Sequence, residues 1–249
     1  MNDPQPETRQ SSFPLTAKYD PRWIRDNALG EDALCQAEIL ARYIPFRADM
    51  RILELGCGKA SSAIFLAREF GVQVWAGDST TSASDNYQRA TGMQCDNLVL
   101  PMRIDADSLP FAHKFFDAVI AIDAYLYFGT DERYLPYVSR FIKPGGSIGI
   151  VDIGFRQEIS AMHEAPSWLS ADYERFWSSI HTAQWWRQHW QKTGLVEVTT
   201  CDFVAESDWL LENYGRARAQ QHSKDPIAKA ILQGGGDQVG LFCLVAKIL

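Results

Sequence analysis

The sequence predicts an α/β fold with a mainly parallel sheet and helices on both of its faces. From residue 51 onward, short apolar segments alternate with segments of helical periodicity, as they do in βαβ units. In the segment Asp117–Ile122, the run AVIAI is apolar at every residue, which is typical of a strand covered on both faces. With 249 residues, 46% of them hydrophobic, and no visible linker or repeat, residues 1–249 fit a single domain with a sizeable core.

The N-terminal residues are predicted to lie outside the sheet. Residues 1–15 are largely polar and predict a loose tail, and residues 16–46 predict a helical cover. The helix of this cover is predicted over Leu29–Ile44, where alanine, leucine and isoleucine recur at helical spacing. In chain order, the pattern then predicts a strand at Arg51–Leu55, a helix at Ser61–Phe70, a strand at Val72–Ala76, a helix through Asp85–Arg89, strands at Leu98–Ile104 and Asp117–Ile122, a helix at Asp131–Ile142 and a strand at Ser147–Ile153.

From residue 131 onward, the pattern contains a proline, a turn and an insertion before the last elements. Pro136 lies inside the predicted helix Asp131–Ile142, so the helix is expected to begin later than Asp131. The KPGG sequence before the fifth strand predicts a turn. Residues 154–193 are an insertion-sized segment between strands five and six. The last elements are predicted as a strand at Leu195–Val198, a helix near Trp209–Arg218 and a strand at Val239–Leu249.

Charge and cysteine content narrow the class of protein. The formal net charge is −7 and no lysine or arginine run is present, so nucleic acid is a poor partner. The five cysteines are odd in number and form no CxxC pair, which indicates neither a zinc site nor a disulfide framework. No bound metal is therefore expected. The N-terminal sequence has no apolar core and no run approaches the ~20 apolar residues of a membrane span, so we expect a cytoplasmic protein.

The segment RILELGCGKASSAIFL contains the first functional motif, a glycine loop between a strand and a helix. Gly56 and Gly58 let the backbone approach a ligand closely, and the amides of the following helix are open. A dinucleotide fingerprint would need a third glycine at position 61, which is Ser61. Glu54 also places negative charge near the loop, which disfavours a pyrophosphate and suits a ligand with a cationic end.

Three successive strands of the predicted sheet end in a carboxylate, and together these suit one ligand. Glu54 lies at the end of the first strand, and Asp78 ends the second, where it can accept hydrogen bonds from both hydroxyls of a ribose. Asp105 ends the third, where it could accept from the exocyclic amine of a purine. A cationic end, a ribose and an adenine together describe S-adenosylmethionine (SAM). Taken singly, Asp78 and Asp105 fit helix N-caps as well.

Five segments resemble the class I SAM-dependent methyltransferases, most closely the small-molecule branch related to ubiquinone/menaquinone and cyclopropane-fatty-acid enzymes. They are LELGCGKA (Leu53–Ala60), Asp78, IDADSLPF (Ile104–Phe111), FFDAVIAIDA (Phe115–Ala124) and KPGGSIGIVD (Lys143–Asp152). The family loop usually reads E/DxGxGxG, and Ala60 replaces its last glycine. The resemblance implies a Rossmann-like sheet of seven strands, the last antiparallel, and methyl transfer from SAM that releases S-adenosylhomocysteine.

The resemblance also implies roles for individual residues. At the cofactor, Glu54, Gly56 and Gly58 would line the methionine end, Asp78 would hold the ribose, Asp105 and Ala106 would border the adenine, Asp123 would lie beside the methyl donor, and Tyr19 or Asn27 would touch the cofactor carboxylate or the substrate.

The acceptor is expected beyond the fourth strand and under the insertion. The insertion is rich in aromatic residues, which predict both a packed lid and a dry pocket for a small apolar or aromatic molecule: Trp168, Tyr173, Phe176, Trp177, His181, Trp185, Trp186 and Trp190. Where the acceptor must lose a proton, the candidate bases are His181, Asp123 and Tyr125, followed by His163 and Tyr127.

Two other classes of function stay open at this stage. An NAD-type oxidoreductase is disfavoured by Ser61 and Glu54 but shares the strand–loop–helix arrangement. A non-catalytic SAM-binding protein would keep the same cofactor motifs. A nucleic-acid or protein methyltransferase is less well supported, because the chain is acidic and IDAYLY follows the fourth strand in place of an NPPY-type motif.

Overall fold

A seven-stranded sheet forms the centre of the molecule. The structure, a computed structural model, describes residues 10–30, 32–161, 164, 178–221, 231–232 and 237–249, apart from the side chains of residues 218, 220 and 221. The strands are β1 (Arg51–Leu55), β2 (Gln73–Asp78), β3 (Val99–Arg103), β4 (Phe116–Ile122), β5 (Ile142–Phe155), β6 (Val196–Phe203) and β7 (Val239–Ile248). Their order is β3-β2-β1-β4-β5-β7-β6, with β7 antiparallel to both neighbours and the other adjacent pairs parallel. This confirms the predicted fold class.

Helices cover both faces of the sheet. The described α-helices are α1 (Pro21–Asn27), α2 (Ala33–Ala41), α3 (Ser61–Phe70), α4 (Ala83–Gly92), α5 (Tyr134–Val138), α6 (Ala183–Gln191) and α7 (Ser207–Gln221). Helices α2, α3 and α7 contribute buried residues to one core cluster, and α5 and α6 contribute to the other. In the part of the chain that the structure describes, no helix is both long and apolar enough to cross a membrane.

Two predicted helices differ from the observed ones for identifiable reasons. The helix predicted over Leu29–Ile44 begins only at Ala33, because the Asp32 carboxylate accepts hydrogen bonds from the amides of Leu34 and Cys35 and so caps the helix there. The helix predicted over Asp131–Ile142 is the five-residue α5 followed by a 3₁₀ turn. Pro136 lies in the first turn of α5, where its missing N–H leaves no hydrogen bond unmade.

The KPGG sequence forms an excursion within a strand. In the pairing of β4 with β5, Phe116 lies opposite Ile142, but the next pair joins Ala118 to Ser147, so residues 143–146 loop out of the register. Gly145 has a φ of +73°, which glycine adopts without strain. The turn was predicted, but the strand beginning before it was missed. Strand β6 is also longer than predicted, because its pairing with β7 continues to Phe203.

Parts of the predicted N-terminal tail and of the predicted insertion lie outside the described residues. These include residues 1–9, 162–163 and 165–177, and with them His163, Trp168, Tyr173, Phe176 and Trp177.

Candidate cofactor-binding site

A cavity of about 570 Å³ opens at the carboxyl ends of the parallel strands. Its walls come from the ends of β1 to β4 and the loops that follow them, at residues 55–59, 77–80, 104–107 and 122–124. A further wall is formed by Asn27, Leu29 and Gly30, which follow or end α1. This is the edge of an open α/β sheet at which ligands bind. Segments far apart in the sequence therefore meet around one space.

The glycine loop takes a conformation that other residues would resist. Gly56 and Gly58 have φ values of +73° and +51°. A Cβ atom on Gly56 would lie 2.4 Å from the Cβ of Ala124, so a side chain there cannot fit without displacing the end of β4. The amide of Gly56 donates to the Gly77 carbonyl oxygen at 2.8 Å, which fixes the loop to β2. Ala60, where the family pattern has glycine, also has a positive φ, at +57°.

Asp78 holds two loops together at the edge of the cavity. Its Oδ2 accepts a hydrogen bond from the amide of Gly58 at 2.9 Å. Its Oδ1 accepts from the amides of Thr80 and Thr81 and from the Thr80 hydroxyl. Burial raises the pKa of Asp78, but the hydrogen bonds from Thr81, Thr80 and Gly58 outweigh it and bring the pKa below its usual value. Asp78 is therefore held in its charged form.

Glu54 lies beneath the loop and is not among the described residues that line the cavity. The strand alternation directs its side chain toward α3, where the Ser62 hydroxyl donates a hydrogen bond to Oε1. The side chain is 1% exposed. Burial, with a contribution from the charge of Asp78, raises the pKa of Glu54 to about 7, despite the opposing Ser62 hydrogen bond. The resemblance places Glu54 at the methionine end of the cofactor, and the structure places its carboxylate against Ser62 at the start of α3.

Asp105 and Ala106 line the cavity on the side of β3. The Asp105 carboxylate accepts a hydrogen bond from the amide of Asp107 at 3.1 Å. The Tyr134 hydroxyl donates to the Ala106 carbonyl at 3.3 Å, and the amide of Leu109 donates to the Tyr137 hydroxyl at 2.6 Å. The loop after β3 is thus tied to α5.

Asp123 lines the cavity at the end of β4. It has a φ of +52°, a conformation that aspartate tolerates better than most residues. Its amide donates to the Val151 carbonyl oxygen at 2.9 Å. A Cβ atom on Gly30 would lie 1.8 Å from Asp123 Oδ2, so the carboxylate rests directly against the Gly30 backbone. The N-terminal cover and the end of β4 therefore meet at this point.

Tyr19 and Tyr125, which the sequence singled out, are not among the described residues that line the cavity. The Tyr19 hydroxyl donates to Glu69 Oε1 at 3.2 Å, and its ring packs on Phe65, away from the loop. Asn27, the alternative to Tyr19, does line the cavity. Tyr125 is 1% exposed, and burial raises the pKa of its hydroxyl well above the usual value.

His181 lies just before α6 and is also not among the described residues lining the cavity. Its Nδ1 is 2.6 Å from Glu158 Oε1, and its ring stacks on Trp185 with the centroids 3.6 Å apart. The second oxygen of Glu158 accepts hydrogen bonds from the amide and hydroxyl of Thr182. In the tautomer that donates from Nδ1 to Glu158, Nε2 is the atom that can accept a proton.

Several lining residues were not predicted from the sequence. Among the described lining residues, four aspartates (Asp78, Asp105, Asp107 and Asp123) stand against one lysine, Lys59. Lys59 could have been found from its place within the glycine loop. The place of Gly30 in the lining could not be predicted from its sequence neighbours, because Gly30 packs against Asp123, which lies 93 residues away in the chain.

Known proteins resemble the part of the chain that supplies most of the cavity lining. Residues 52–146 match a family model described as a methyltransferase domain. The 27-O-demethylrifamycin SV methyltransferase of Amycolatopsis mediterranei (strain S699) is 28% identical over 155 residues, which cover 61% of this chain and 54% of that protein. The fatty-acid O-methyltransferase of Mycolicibacterium smegmatis (strain ATCC 700084 / mc(2)155) is 30% identical over 125 residues, covering 49% and 41%. The chain thus spans about half the length, or less, of these curated relatives.

Solved structures agree on the fold. Geranyl diphosphate C-methyltransferase from Streptomyces coelicolor A3(2) superimposes with a TM-score of 0.66 at 20% identity, covering 86% of this chain and 78% of that one. The [4+2]-cyclase SpnF gives a TM-score of 0.69, also at 20% identity, covering 85% and 79%. Residues 52–146 are therefore similar to the methyltransferase domain family, and the fold is the one shared with these solved structures.

Proposed function

We propose that the protein transfers a methyl group from SAM to a small apolar or aromatic molecule. The observation that carries this proposal is the meeting of the glycine loop, Asp78, Asp105 and Asp123 around one cavity at the carboxyl ends of the strands. The excess of aspartates in the lining suits a ligand with cationic groups and disfavours a pyrophosphate. The match to the methyltransferase domain family supports the same cofactor.

The residues present fit each part of SAM. Asp78 would accept from the ribose hydroxyls, and Asp105 and Ala106 would border the adenine. Gly56, Gly58 and Asp123 would surround the methionine end, with Glu54 supporting the loop from below. When bound, SAM supplies a sulfonium methyl group that transfers by in-line displacement and leaves S-adenosylhomocysteine.

The acceptor would lie beside the turn that follows β4. Ala124, Tyr127 and Phe128 line the cavity there, and Tyr127 is 61% exposed, so an apolar acceptor would find aromatic surface at the rim. By holding the acceptor and the cofactor in line, the walls would lower the barrier by as much as about 7–11 kcal/mol. The curated relatives whose names specify small molecules support this class of acceptor.

Where the acceptor must lose a proton, we propose Asp123 as the base, because its carboxylate lies in the cavity wall. His181 is the alternative for an acceptor that extends beyond the described lining, since the contact with Glu158 and the stacking on Trp185 hold its imidazole in one orientation. For Tyr125 we propose a packing role, since its hydroxyl is buried and its pKa is raised.

Binding of S-adenosylhomocysteine tests the cofactor assignment. Calorimetry should show saturable binding to the wild type, and Asp78→Ala combined with Gly56→Val should abolish it, because the first removes the acceptor and the second overlaps Ala124. Asp96→Ala combined with Gly92→Val is the matched control, since a side chain on Gly92 meets nothing within 4 Å. A wild type that binds neither SAM nor S-adenosylhomocysteine contradicts the proposal.

Turnover distinguishes an enzyme from a binding protein of the same fold. The similar fold of the [4+2]-cyclase SpnF makes this distinction necessary. Binding of SAM without methyl transfer to any acceptor in a broad screen would favour a non-catalytic role, and a thermal shift with NADH in place of SAM would favour an oxidoreductase.

A cytoplasmic location is part of the proposal, because all five cysteines are free and buried.

A further inference from the structure

A chain of hydrogen bonds joins two walls of the cavity from behind. Arg89, on α4, donates from Nε to Asn27 Oδ1 at 3.1 Å and from Nη1 to Asn86 Oδ1 at 2.7 Å. The Asn86 amide then donates to the Gly58 carbonyl oxygen at 2.8 Å. Asn27 and Gly58 both line the cavity, whereas Asn86 and Arg89 are not among its described lining residues. The two arms of one guanidinium therefore link the end of α1 to the glycine loop.

Further contacts bring the same two walls together. Lys59 donates from Nζ to the Asp26 carbonyl oxygen at 2.9 Å. A Cβ atom on Gly58 would lie 2.8 Å from Leu29 Cδ1, so the Leu29 side chain rests on the loop. The residues that end and follow α1 thus lie directly against the glycine loop. The distance between these residues and the glycine loop sets the width of the cavity at this point.

The chemistry of this hydrogen-bond chain favours a positioning role. The hydrogen-bond acceptors of Arg89 are neutral amide oxygens, and among the described residues it forms no ion pair. Its planar guanidinium donates in two fixed directions, which a flexible ammonium does not. Asn86 is 1% exposed, so an amide without these partners would be costly to bury. The arrangement suits a spacer between two acceptors better than a surface charge.

We propose that Arg89 and Asn86 are positioning residues that hold the α1 wall and the glycine loop at the spacing that retains the cofactor. This inference rests on the proposed function. Because neither residue lines the cavity, both act through Asn27 and Gly58 and leave the acceptor side unchanged. Loss of the link lets the two walls separate, so the cofactor dissociates faster while the transfer step keeps its rate.

The substitution Arg89→Met removes the donors and keeps an unbranched apolar stem. We expect the dissociation rate of S-adenosylhomocysteine, followed by tryptophan fluorescence in stopped flow, to rise about tenfold, in line with the loss of charged hydrogen bonds. The KM for SAM should rise by a similar factor with kcat within about twofold. Arg68→Met is the matched control, since Arg68 also donates to a neutral amide oxygen, the backbone carbonyl of Met93, away from the cavity.

A second variant and a double-mutant cycle complete the test. Arg89→Lys keeps the charge but not the two fixed donor directions, so it should accelerate dissociation as well and serves where Arg89→Met fails to fold. Asn27→Ala combined with Arg89→Met should be no worse than the weaker-binding single variant, because both break the same link. Independent, multiplicative effects would overturn the proposal. Wild-type dissociation rates in both Arg89 variants would overturn it while leaving the cofactor assignment intact, whereas a wild type that binds no S-adenosylhomocysteine overturns both.

Discussion

At the scale of single residues, Glu54 makes the fold sensitive to pH. Its pKa rises from 4.5 to about 7 on folding, chiefly because burial disfavours the charged form. Its contribution to stability is therefore full below 4.5 and is lost as the pH rises through about 7, where the buried carboxylate ionises. The shift corresponds to about 3 kcal/mol. Above about pH 7, the burial of the Glu54 carboxylate next to the glycine loop therefore lowers the stability of the fold.

Glu54→Gln should remove this dependence. The amide oxygen can still accept from Ser62 but does not ionise, so stability should no longer fall between about pH 5 and about pH 8 through this residue. Urea unfolding of both proteins across that range measures the effect, and the other titrating groups cancel in the difference. Parallel stability curves for the two proteins would show that Glu54 stays charged in the folded protein.

The residues that line the cavity were predictable where the strand order alone decides their place. Gly56, Gly58, Asp78, Asp105 and Asp123 all follow or end parallel strands, so the topology brings them to one edge of the sheet. Tyr19, Tyr125 and His181 were not predictable in this way, because their positions depend on how covering segments pack. Their roles, and those of the lining residues, stay proposals.

At the scale of elements, α5 is short but anchors the loop after β3. The Tyr137 hydroxyl accepts from the amide of Leu109 at 2.6 Å, and Tyr137→Phe leaves that amide without its partner. We expect a loss of about 1–2 kcal/mol in stability and a several-fold weaker affinity for S-adenosylhomocysteine. Calorimetry with S-adenosylhomocysteine and with adenosine measures the effect.

Comparing the affinities for S-adenosylhomocysteine and adenosine shows which part of the cavity Tyr137→Phe affects. If the loop after β3 borders the adenine, both affinities should fall by the same factor, because adenosine lacks only the methionine end. Tyr87→Phe is the control, since its hydroxyl donates to Asp96 on an exposed surface. Unchanged affinity for both ligands would show that the loop keeps its position without the Tyr137 hydroxyl.

Element boundaries were predictable where the sequence contains its own stop signals. The helix Ser61–Phe70 ends as predicted at Gly71, which has a φ of +69°. The helix predicted from Leu29 was wrong at its start because its apolar spacing continues upstream of Asp32, and only the cap decides between the two positions. The length of β6 could not be read from its sequence, because the strand is extended by pairing with β7.

At the scale of the whole molecule, α6 joins the turn after β4 to strand β7 within one core cluster. Trp186 and Trp190 are 1% and 0% exposed. The Trp186 ring packs edge-on against Tyr125, with centroids 5.6 Å apart, and stacks on Phe242 of β7 at 6.5 Å. These two tryptophans of the predicted lid thus belong to the core. This arrangement couples the turn after β4 to the stability of the sheet.

Trp186→Ala should therefore destabilise the whole protein by about 3–5 kcal/mol, since it removes a large buried ring. Trp185→Ala is the matched control on the same helix, because Trp185 is only partly buried and stacks on His181, so its loss should cost much less. Urea unfolding followed by far-UV circular dichroism and by fluorescence should give coincident, shifted transitions. An unchanged unfolding free energy, combined with lost methyl transfer, would instead place Trp186 in contact with the acceptor and make α6 part of the substrate site.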